Sequence, residues 1–181
     1  MTSETQITPN ASKHHGPGKI EGSWKGMKKY LEQDMLCNSL RGSVSYYCTW
    51  HPKFGGLSRL FSISLDGTIL KKFNTAYAYS ALNRSGMQIK YIDDVDNDIP
   101  MQERDEYTSY DFAEALEEYR HIPVQQAVSS ANPIIRMFAI VDRRIGKRTL
   151  TALWDHIDEQ PDWLKPLYQA RMKAESISPK Q

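Results

Sequence analysis

The stretch IIRMFAIVDRRIGKRTLTALW, Ile134–Trp154, decides how the rest of the chain is read. Ile134, Phe138, Val141 and Ile145 recur at helical spacing, and Leu150, Leu153, Trp154 and Ile157 follow as a second set. Apolar residues three and four apart share one face of a helix. Pro133 suits a first turn, Gly146 is placed to end the first helix as the residue past its C-terminus, and Thr149 opens the second, to about Asp158. The spacing thus predicts two amphipathic helices meeting at a basic corner. Between Arg136 and Arg148 the chain carries five cations, Arg136, Arg143, Arg144, Lys147 and Arg148, against one acid, Asp142.

Upstream of Ile134 the helical period continues. Pro123 opens a helix over 123–131, with Val124, Ala127 and Val128 as its apolar face. Ser109 caps a longer one with Phe112, Leu116 and Tyr119 inward. Downstream, Pro161-Asp162 opens a last helix through Trp163, Leu164 and Leu167. Near the N-terminus Ser23 caps a helix over 24–37, with Trp24, Met27, Leu31 and Met35 on one face.

Between these helices the period drops to two. Val44, Tyr46, Cys48 and Trp50 alternate with Ser43, Ser45, Tyr47 and Thr49, which is a strand with one buried face. Phe61, Ile63 and Leu65 make a second strand, and Thr68–Phe73 a third. Asp66-Gly67 is the hairpin signal that joins them. The outer face of this meander would show small hydroxyls and Lys71. Met87–Ile92 has the composition of a fourth strand. The fold class is therefore α+β: an N-terminal helix, an antiparallel meander of three to four strands, and a C-terminal helical bundle.

Residues 1–22 are polar and nearly free of apolar side chains, so they read as a disordered tail, and the pair His14-His15 in it lacks a third metal ligand. Residues 23–175 form one domain: helix and sheet to 92, an acidic loop over 93–108, and a helical part over 109–175. Residues 176–181 fray. The acidic alternation Asp94-x-Asp96-x-Asp98 has the spacing of a calcium loop. Ile99 stands where that loop needs glycine and Asp105 where it needs glutamate, so a solvated loop fits better.

Composition bounds the function. A net charge of +1 in 181 residues gives no global field, so any attraction to nucleic acid must be local. Cys37 and Cys48 lack metal spacing and read as reduced thiols. There is neither a signal peptide nor an apolar run long enough to cross a membrane, which gives a cytoplasmic protein without membrane contact. His51, His121 and His156 show no ligand spacing, and no cofactor is expected. The helix pair 124–131 and 134–145 has helix-turn-helix spacing, but the second helix is apolar nearly all round where bases would be touched, which fits burial instead. Tyr46, Tyr47, Trp50, Tyr77 and Tyr79 have the composition of a base-stacking surface, although strands and cores use the same residues.

The segment Asp142-Arg143-Arg144-Ile145-Gly146-Lys147-Arg148-Thr149-Leu150, with Trp24-x-x-Met27-Lys28-x-x-Leu31, Leu36-Cys37, Leu40-Arg41-Gly42 and Leu65-Asp66-Gly67, resembles a family of small bacterial proteins of unassigned activity. The resemblance spans about residues 23–155. It implies fold boundaries and a cytosolic setting, and no chemistry.

From the residues, the leading expectation is a non-catalytic module that contacts nucleic acid first, or another phosphate-bearing partner or an acidic protein, through Arg136, Arg143, Arg144, Lys147 and Arg148. The rival is a protein-interaction or adaptor role, in which the apolar helical faces and the acidic loop dock another protein and the basic corner is purely structural. Third is a metal-dependent phosphodiester-cleaving enzyme combining the acidic loop with the basic corner.

Overall fold

The computed structural model describes residues 23–50, 59–73 and 99–178. The tail 1–22, His51, Tyr77, Tyr79, the Met87–Ile92 strand and the acidic run Asp93–Asp98 lie outside the described residues, as do the side chains of Trp50 and Arg59.

Helix α1 (Trp24–Lys29) is capped by Ser23, whose hydroxyl accepts from the Gly26 N–H at 3.2 Å. It continues as a π-helical segment, Tyr30–Met35, and Leu36 is already extended. Strands β1 (Val44–Trp50), β2 (Arg59–Leu65) and β3 (Thr68–Phe73) form an antiparallel sheet in chain order. Asp66 and Gly67 turn the β2–β3 hairpin with φ of 48° and 79°, the signature of the turn that matches strand twist. A register shift at Ile63/Ser64 breaks strict alternation. Lys71, expected outward with the hydroxyls, shares the face of Phe73. Its ammonium donates to the Asp105 carbonyl and lies 5.2 Å from the centre of the Tyr107 ring, which also touches Phe73.

The helical half comprises α2 (Ser109–His121), α3 (Val124–Ala127), α4 (Pro133–Val141), α5 (Lys147–Leu153) and α6 (Lys165–Ala174). Helix α2 begins one residue earlier than Ser109 suggests. Thr108 is the cap, in a reciprocal box with Asp111. At the other end, α6 closes on Ser176 (φ 55°), with the Ile177 N–H bonded to the Met172 carbonyl at 2.9 Å.

The sheet's inner face packs on α2, and α4 lies behind it. Phe61 stacks on Phe112 at 4.6 Å, Phe112 meets Phe138 at 5.4 Å, and Phe138 reaches Tyr46 and Tyr119 at 6.3 and 5.5 Å. Phe138 therefore joins the sheet to α2 and α4. Every residue of α4 except Arg136 is buried. A helix buried all round cannot lie in a DNA groove, which removes the helix-turn-helix reading. Among the described residues, no helix is long and apolar enough to cross a membrane.

Candidate functional site

The corner forms where α4 ends, and it ends four residues before the expected Ile145. At Asp142 the backbone turns extended and forms an antiparallel bridge with Leu36. The Cys37 N–H donates to the Val141 carbonyl and the Arg143 N–H to the Met35 carbonyl, each at 2.9 Å. Gly146 accordingly does not end α4. It sits at the start of α5 with φ −87°, and the helix opens at Lys147 rather than Thr149. Two tertiary backbone bonds outweigh the one or two further helical turns that the apolar spacing suggests.

Asp142 is fully buried, and its carboxylate organises the turn. Its Oδ1 accepts from the Arg144 backbone N–H at 2.6 Å and Oδ2 from the Arg144 guanidinium at 2.8 Å. The Tyr119 hydroxyl, on the last full turn of α2, donates to Oδ2 and accepts from the same guanidinium at 3.1 Å. The acid is thus held by Arg144 and Tyr119, not by Arg143 or Arg148. The hydrogen bond to Asp142 raises the Arg144 pKa above its ordinary value against the effect of burial. Burial, then the bond to the carboxylate, raises the Tyr119 phenol. The guanidinium and the phenol thus both bond the buried Asp142 side chain and each other.

The structure divides the five cations. Arg136 turns into the molecule: its Nε donates to Gln160 at 2.9 Å and its Nη1 to the Ser130 and Ala131 carbonyls at 2.6 and 3.1 Å. Arg144 is committed to Asp142, with half its side chain still exposed (51%). Arg143, Lys147 and Arg148 are exposed, and their side chains make no ion pair or hydrogen bond among the described residues.

A sixth cation supports the corner from beneath. Arg171 on α6 is buried and donates from Nη2 to the Ile145 carbonyl at 3.0 Å. Its Nη1 lies 3.5 Å from Glu175, which also accepts from the Ser39 hydroxyl at 2.8 Å. The sequence reading passed over Arg171. The signal was available, since Leu167, Tyr168, Arg171 and Met172 share one helical face, and an arginine on an apolar face needs a partner.

Other candidates separate from the corner. Glu103, Asp105 and Glu106 are exposed, and Glu106 lines a groove with Ile69, Leu70 and Lys72 beside β3. His121 and His156 are exposed and bonded locally, to the Glu117 carbonyl at 2.8 Å and to Glu159 at 3.0 Å. No group of His, Cys, Asp or Glu among the described residues could hold a metal ion. Cys37 is buried and Cys48 half-buried, and the two are not joined in a disulfide.

A family profile matches residues 23–172. The chain belongs to the SF0329 protein family. The match starts at the Ser23 cap, where the resemblance read from the sequence starts, and runs past residue 155 to Met172, so the SF0329 region takes in Arg171 as well as the corner. Neither the curated proteins nor the solved structures gave a match.

Proposed function

We propose that this protein is a non-catalytic binding module that contacts nucleic acid, or another phosphate-bearing partner, through the exposed side of the basic corner. One observation carries the reading. Arg143, Lys147 and Arg148 stand exposed within six residues of chain, with no acid paired to them among the described residues. Cations used for folding alone find carboxylate or carbonyl oxygens inside the protein. Arg136, Arg144 and Arg171 do so, and among the described residues these three do not. The Asp142–Arg144–Tyr119 group and the bridge to Leu36 fix the backbone that carries them, so little order would have to be gained on binding.

Phosphate contacts release counterions, so affinity for duplex DNA should fall linearly in log–log form with salt, by about 0.9 per contact. The variant with Arg143→Ala, Lys147→Ala and Arg148→Ala together should bind weakly and flatten that slope by up to about 2.7. Fluorescence anisotropy over a salt series measures it. Absence of binding by the intact protein at low salt overturns the proposal. A stoichiometric protein partner that the triple variant retains would establish the adaptor role instead.

A further inference from the structure

Two side chains from outside the basic segment complete the surface around the corner. The bond between the Arg143 N–H and the Met35 carbonyl lays the end of the π-helical segment against the corner. Tyr30, on that segment, is half-buried. The Arg120 guanidinium lies 5.8 Å from the centre of its ring. Tyr119 and Arg120 are neighbours on α2 and divide the work: Tyr119 bonds Asp142 and Arg144 inside, and Arg120 meets Tyr30 outside. Burial raises the Tyr30 phenol, the Arg144 and Arg120 charges oppose the rise, and Asp142 and Asp34 add to it.

The surface thus combines an aromatic ring, a guanidinium against it, and cations beyond. Among the described residues, the acids that act on Tyr30 or pair with Arg120 and Arg144 are Asp34, Glu117 and the buried Asp142. Glu117 meets Arg120 at 3.5 Å with both groups partly in water, which is the weak kind of pair. Arg143, Lys147 and Arg148 are exposed in the turn that follows Asp142.

We infer that the partner is single-stranded nucleic acid, with a base stacked on the Tyr30–Arg120 pair and a neighbouring phosphate held by Arg143. The inference rests on the phosphate-binding reading above and narrows it. In a duplex each base is covered on both faces by its neighbours, so a surface ring and guanidinium find nothing to stack on. An unpaired strand offers the face of every base. Such a site is tolerant of sequence and dependent on salt.

The test measures binding of the full chain to a short fluorescein-labelled oligothymidylate, to a duplex of the same length, and to a polyglutamate peptide. The single strand should bind more tightly than the duplex. Tyr30→Leu keeps apolar packing but removes the ring and should weaken single-strand binding about tenfold, whereas Tyr30→Phe should bind as the parent does. Thermal melting checks that each variant is folded. Arg120→Gln, at a partly exposed position, carries the same test if Tyr30→Leu does not fold. Equal or tighter binding of the duplex, or parental affinity in both Tyr30→Leu and Arg120→Gln, overturns the inference and leaves the phosphate-binding reading standing. Failure of both oligonucleotides to bind overturns that reading as well. Capture of polyglutamate in preference to either shows that the partner is an acidic protein.

Discussion

Asp142 and Arg144 form one ion pair, but their environments make them unequal partners. The carboxylate is wholly buried, while half the arginine side chain reaches water. Arg144→Ala leaves a buried carboxylate without its counter-charge and should cost about 3–5 kcal/mol. Asp142→Asn removes the buried charge and lets the guanidinium turn to solvent, so its cost should be nearer about 1–3 kcal/mol, from the hydrogen bonds it weakens. Urea denaturation of both variants gives the order, and a cheaper Arg144→Ala would refute this account of the corner. The double variant should fall short of the sum, because both changes break the same contacts. In the sequence, Asp142 is one acid among five cations, free to pair with Arg143, Arg148 or a base elsewhere. Its burial depends on Leu36 and Tyr119, which lie far from it in the chain.

Among the elements, the hairpin was the most legible, because a two-residue turn is decided by its own residues. Gly67 has φ 79°, and a Cβ built there would meet nothing within 4 Å. Gly67→Ala therefore costs conformation rather than space, about 1–2 kcal/mol for a left-handed alanine. The check is a lower melting temperature with an unchanged far-ultraviolet spectrum. An unchanged melting temperature would mean that the turn adopts another type. The helices were legible as existing and less so at their ends. Propensity and apolar spacing carry α4 past Asp142, and only the strand-like bridge to residues 35–37 stops it. The π-helical stretch Tyr30–Met35 has the same apolar period as an α-helix and gave no separate signal.

Among the described residues, the four fully buried tyrosines share one behaviour. Burial is the largest cause of a raised pKa at Tyr46, Tyr107, Tyr119 and Tyr168, the last pushed up to about 12. An unfolded tyrosine ionises near about 10. Above that pH the unfolded chain has released protons that the native state still holds, so stability falls as pH rises. The contribution is complete below the unfolded value and lost as pH climbs toward the folded ones, by up to about 1.4 kcal/mol per pH unit for each tyrosine. Urea midpoints should decline as pH rises from about 9 to about 11.5, and at pH 11 unfolding should raise the phenolate absorbance above that of the folded protein. No further rise on unfolding would show these four rings to be open to water.

The sequence by itself determined the α+β class, the order of the elements, the Asp66-Gly67 turn and the burial of Ile134–Val141. Each of these follows from period, turn chemistry or composition within a few residues. It also located the basic corner. Only the tertiary structure decided which cations fold the protein and which face outward. Arg136, Arg144 and Arg171 found the Ser130 carbonyl, Asp142 and the Ile145 carbonyl, whereas Arg143, Lys147 and Arg148 found none among the described residues. The physical reason is that a charged side chain's role is set by the polar atoms within about 3 Å of it. At a corner built from α2, α4, α6 and the segment 35–37, most of those atoms come from other parts of the chain.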